Sequence, residues 1–72
     1  MAMKERIDHW FTYHPPRDPD TVDSYRQLRD AARVFAHEVD RLVPDSADKT
    51  AAIRKIREAV MTANAAIACE GK

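Results

Sequence analysis

Residues 59–69 read Ala59-Val60-Met61-Thr62-Ala63-Asn64-Ala65-Ala66-Ile67-Ala68-Cys69, and only Thr62 and Asn64 among them are polar. The stretch closes a helical segment predicted over about 46–70. Its earlier part, Lys49 to Glu58, is amphipathic, with Ile53 and Ile56 on one face and Arg54, Lys55, Arg57 and Glu58 elsewhere. After Glu58 no charge appears until Glu70. A helix that is apolar on every side is buried on more than one side. A chain of 72 residues is too short to surround such a helix by itself. The stretch therefore predicts a helical protein that associates with itself, with any ligand site lying between subunits.

Working back from this stretch, Ile53, Ile56, Val60, Ala63 and Ile67 alternate by three and four, a seam along one face. Ala52, Ala59 and Ala66, seven apart, flank it with small side chains. Pro44-Asp45-Ser46 marks a turn, with Asp45 or Ser46 as the cap of this helix, and Gly71 suits a helix stop. Before the turn, Tyr25, Leu28, Ala32, Phe35, Val39 and Leu42 form a second seam at the same spacing. That predicts a helix over about 21–43, capped by Asp20 or Thr21. Two long helices and a short turn make an antiparallel hairpin, each arm about 35 Å long.

The N-terminal part is different. Met3, Ile7, Trp10 and Phe11 share one face of a short helix over about 2–13. Three turns are marginal alone, so Trp10 and Phe11 are expected to anchor it on something. His14-Pro15-Pro16-Arg17-Asp18-Pro19 cannot continue a helix and reads as a stiff linker. The expected fold is all-α: one domain over 1–72, a short helix plus a long hairpin, in an oligomeric assembly.

Twelve Lys+Arg balance twelve Asp+Glu, which argues against a binder of DNA or RNA polymer. One cysteine excludes an internal disulfide. No apolar run is long enough to span a bilayer, and no signal peptide is legible at the N-terminus, so a cytoplasmic location is expected. No nucleophile–base arrangement and no glycine-rich phosphate loop are legible. Cys69 in an alanine-rich helix reads as an inert thiol. His9, His14 and His37 with Asp8 match no standard metal spacing, so neither a metal nor a cofactor is expected.

Two groups remain. Phe11-Thr12-Tyr13-His14 ends the short helix in rings that can stack on a flat base. Arg26, Arg29 and Arg33 line one side of the second helix, where guanidinium forks suit phosphate oxygens. Asn64 and Met61, in the apolar half of the third helix, face either a subunit seam or a ligand edge.

Three blocks resemble a known family: Glu5-Arg6-Ile7 with Phe11-Thr12-Tyr13-His14-Pro15, then Tyr25 to Ala32, then Glu58 to Ala68. Together they look like the small phage helical-hairpin proteins that include the anti-CBASS and anti-Thoeris signal sponges. The resemblance implies a hexamer without catalysis that sequesters cyclic oligonucleotide signals in the host cytoplasm. It implies cyclic dinucleotides such as cyclic GMP-AMP held between two protomers, with Tyr13 stacking on a base and Arg29, or second Arg26, pairing with phosphate. Cyclic trinucleotides in separate pockets and cyclic ADP-ribose isomers are further ligands of that family. Where its members often place an arginine after the third block, this chain has Cys69. The rival readings are a helical module that binds a partner protein and, more weakly, a small DNA-binding regulator.

Overall fold

Pro19 decides where the hairpin begins. Its fixed φ suits the first turn of a helix, and Asp18 before it adopts extended geometry and accepts from the Thr21 amide at 2.8 Å. The cap is therefore Asp18, and neither Asp20 nor Thr21. The Thr21 backbone bond holds the Asp18 carboxyl below its usual range. The computed structural model describes all 72 residues as three helices and no strand: α1 Met3–Trp10, α2 Pro19–Leu42 and α3 Ala47–Ala68. Ser46 caps α3 by accepting from the Lys49 amide at 3.1 Å. The fold is all-α, and α2 and α3 pack as the hairpin.

The turn between them is pinned by Lys49. Its side chain is only 12% exposed and donates to Asp40 at the end of α2 and to Asp45 in the turn, both at 2.8 Å. The Lys49 hydrogen bond pulls the Asp40 carboxyl below its usual range, and the two carboxylates raise Lys49. The signs bound a pH window. The Asp40 contribution is complete above the unfolded carboxylate value of about 3.9 and is lost as pH falls through the lower folded value. The Lys49 contribution is complete below about 10.4 and is lost as pH rises through the higher folded value. The bridge's contribution to stability should thus be constant between these limits. In Asp40→Asn the acid-side fall in melting temperature should become shallower; an unchanged slope would show that the bridge contributes nothing.

The hairpin buries little. Only Cys69 and Thr21 are buried in the whole chain. The radius of gyration is 15.3 Å, against about 11 Å for a compact domain of this length. On α3 the seam residues Ile53, Ile56, Val60, Ala63 and Ile67 are all half-buried, as their spacing required. On α2 the seam is displaced. Tyr25, Ala32, Ala36 and Val39 are half-buried, whereas Phe35 is 59% exposed and Leu42 is exposed too. The small side chains of Ala32 and Ala36 let the helices approach, and the large ones at 28, 35 and 42 are carried to the rim. Positions 25, 32 and 39 hold the interface along the whole helix while 28, 35 and 42 stay outside it, so α2 is turned about its own axis relative to the expected seam.

α1 stops at Trp10, three residues short of the expected end. The reason is competition for one carbonyl. The Thr12 amide and His14 Nε2 both donate to the His9 carbonyl, at 3.3 and 2.6 Å, which diverts that carbonyl from the helical ladder. Pro15 then holds His14 away from helical geometry. α1 docks on the far end of α3. There His9 Nε2 donates to the Cys69 carbonyl at 3.0 Å, Trp10 Nε1 donates to the Lys72 carbonyl at 3.2 Å, and Arg17 donates to the Ile67 carbonyl at 3.2 Å. The last carbonyls of a helix lack intrahelical partners and carry its negative end, so cationic and N–H donors are well placed there. Arg17 also meets Glu70 at 3.5 Å. Glu70 and Gly71 are both left-handed, at φ 54° and 75°, and the Gly71 amide closes back on the Ala66 carbonyl at 2.8 Å. The helix stop therefore starts one residue before the expected glycine. Docking leaves Phe11 84% exposed and Trp10 half-exposed, so Phe11 is not an anchor within the chain.

Candidate functional site

Along the middle of the hairpin an open groove of about 290 Å³ runs between α2 and α3. Its floor is apolar, with Ile53, Ile56, Val60 and Met61 from α3. Arg29 and Arg33 from α2 and Arg57 from α3 stand on its walls. Helical spacing brings Arg29 and Arg33, one turn apart, to the same side. The antiparallel register set at the Lys49–Asp40 bridge brings Arg57 across from them. Arg57 does not stand out in the sequence, because its place depends on that register.

None of these three arginines has an ion-pair partner in the chain. Arg26 differs. Its guanidinium is hydrogen-bonded to Asp23, which lowers the Asp23 carboxyl and raises Arg26. Arg26 points along its own helix, whereas Arg29 has its donors unspent. Met61 lines the same groove as Arg29, so these two candidates are brought together.

The aromatic candidates lie elsewhere. Phe11 and Tyr13 (72% exposed) stand open on the segment after α1, and no groove of the single chain contains either of them together with Arg29. His14 is occupied differently: half-buried, it bonds to the His9 carbonyl and its ring lies 4.5 Å from that of His9. Asn64 is half-buried and lines none of the grooves, and its Oδ1 is shielded without a partner in the chain. A second, wholly apolar groove of about 380 Å³, between Leu28, Phe35, Ile56, Val60 and Ala63, adjoins the arginine groove and shares Ala32, Ile56 and Val60 with it.

One grouping was invisible in the sequence. His9, His14 and Cys69 place one metal-ligating atom each within 4.8 Å of the others. The expectation of no metal rested on the spacing of His9, His14, His37 and Asp8. The structure leaves His37 exposed on α2 and brings in Cys69, sixty residues from His9. Cys69 is 7% exposed beneath α1. A guanidinium at that position would have to displace the short helix.

A sequence model of the Acb2/Tad1 hairpin domain matches residues 3–68, all three helices. The chain belongs to the Acb2/Tad1 hairpin family. That family is known for binding signalling molecules. The match takes in the arginine groove, Tyr13 and Asn64, and ends one residue before Cys69. No curated protein and no solved structure matched the chain. No helix of this Acb2/Tad1 hairpin is long and apolar enough to cross a membrane.

Proposed function

We propose that this hairpin binds and sequesters cyclic oligonucleotide immune signals, cyclic dinucleotides first, without chemical turnover. One observation carries the reading: three guanidinium groups without ion-pair partners rim an apolar floor. Like charges so placed call for an anion, and the floor suits a flat, weakly polar base. The ligand's phosphates pair with Arg29, with Arg33 and Arg57 beside it. Met61 lies under the base, and Tyr13 stacks on it. Within one chain Tyr13 and Arg29 share no groove, so this site requires Tyr13 from a second copy. The exposed Phe35 and Leu42 and the shielded Asn64 amide are then seam residues of an assembly, proposed as a hexamer. In this reading the protein acts in the cytoplasm of an infected cell and starves a nucleotide-activated defence effector. Cyclic trinucleotides and cyclic ADP-ribose isomers are the alternative ligands.

A protein loaded with cyclic GMP-AMP and then denatured by heat should return the ligand intact and in full. Chromatography showing linearised or hydrolysed nucleotide would overturn the non-catalytic reading. The exposed apolar rim of α2 also favours a second reading, a module that binds a partner protein through that face. Native mass spectrometry separates the two. Whole-number ligand masses on an oligomer support the sponge, and an unliganded dimer supports the partner module.

A further inference from the structure

We propose that His9, His14 and Cys69 form a binding site for a thiophilic divalent metal ion of the zinc type, which locks α1 and the linker onto the end of α3. The proposal does not depend on nucleotide binding. Its first support is the state of the two rings. A backbone carbonyl only accepts, so His9 Nε2, on the Cys69 carbonyl, and His14 Nε2, on the His9 carbonyl, are both N–H donors. In the neutral imidazole with Nε2–H donating, Nδ1 is the nitrogen that carries the lone pair. Metal-ligating histidines are held in this way, one nitrogen donating to a carbonyl while the other faces the metal.

The second support is distance. Nitrogen and sulfur donors around a tetrahedral zinc lie about 3.4–3.6 Å apart, from bond lengths near 2.0–2.1 and 2.3 Å. Here one ring nitrogen of each histidine and Cys69 Sγ lie within 4.8 Å of one another. The atoms need to close by about 1 Å to reach those spacings. Chemistry supplies the third support: two imidazoles and one thiol suit zinc or cobalt over magnesium or calcium, which prefer oxygen. Cys69 also lines an open groove of about 410 Å³ with Trp10 and Lys72. Binding releases the thiol proton to solvent, and three protein ligands leave a fourth position for water.

The ion would tie together three parts of the chain: α1, the linker and the residue that ends α3. Tyr13 directly precedes His14, so the same ion would fix the segment that carries the exposed aromatic rings.

The test is a titration of the reduced full chain with Co²⁺ in a non-chelating buffer. One Co²⁺ per chain is expected, with a thiolate charge-transfer band and the strong visible bands of tetrahedral cobalt. One equivalent of Zn²⁺ should bleach both sets and raise the melting temperature. Cys69→Ala should abolish the charge-transfer band, and His14→Ala should weaken cobalt binding, each with unchanged helical circular dichroism. Absence of the thiolate band in the wild-type protein would overturn the proposal, as would its survival in Cys69→Ala. If a variant fails to fold, the wild-type protein decides: no thiolate band, or no rise in melting temperature with Zn²⁺, leaves a hydrogen-bonded clamp only.

Discussion

Ala63→Glu should break the assembly into species of lower mass while the chain stays helical. Ala63 is half-buried on the α3 seam and lines the wholly apolar groove with Leu28, Phe35, Ile56 and Val60. No side chain in that groove offers a hydrogen bond to a carboxylate. Covering the groove with a second copy would strand an unpaired charge, at a cost of several kcal/mol per ion. In the separated chain the groove is open, and the carboxylate reaches water by a modest side-chain rotation. The effect therefore falls on association more than on the hairpin. Light scattering reads the mass and circular dichroism reads the helix. Ile67→Asp is the weaker version of the test, because Arg17 already donates to the Ile67 carbonyl and supplies a nearby cation. If Ala63→Glu keeps the wild-type mass, the apolar half of α3 is not an assembly seam.

Arg29→Ala should weaken cyclic-dinucleotide binding by about 1.5–3 kcal/mol, the loss of one charge-assisted hydrogen bond. That corresponds to about a 10- to 150-fold rise in Kd. Arg26→Ala should change little, because its guanidinium is already held by Asp23. The contrast between the two arginines separates a specific contact from a general loss of positive charge. Tyr13→Ala should cost about 1–3 kcal/mol through lost stacking, and Tyr13→Phe should recover most of it. Both residues are exposed, so neither change should alter the melting temperature of the ligand-free protein. Calorimetry at two salt concentrations measures all four variants, and the Arg29 effect should shrink as salt rises. Wild-type affinity in both Arg29→Ala and Tyr13→Ala would remove these residues from the site, whatever the protein binds.

The candidate site was legible in the sequence only in pieces. The arginines at 26, 29 and 33 stood out by spacing, but spacing treats them alike. It took the Asp23 bond to set Arg26 apart and the register of the hairpin to add Arg57. The rings at 11, 13 and 14 looked like one platform. A single hydrogen bond to the His9 carbonyl turns His14 to a different task and leaves Phe11 and Tyr13 outside.

Local rules were enough for what is local. Apolar residues at spacings of three and four, prolines at 15, 16, 19 and 44, and a capping serine at 46 determine three helices and their order. Each depends on interactions within one or two turns of the chain, and those are written in the sequence. The direction of α2's large side chains, the docking of α1 and the meeting of His9, His14 and Cys69 are not. They depend on how two long helices rotate about each other and on which unsatisfied carbonyls at the end of α3 find donors. The alanines at 32 and 36 face the interface, where small side chains allow close approach, and Phe35 is left exposed. His9 and Cys69 meet because the open end of one helix offers its carbonyls to the ring and indole N–H groups of another, across sixty residues of chain.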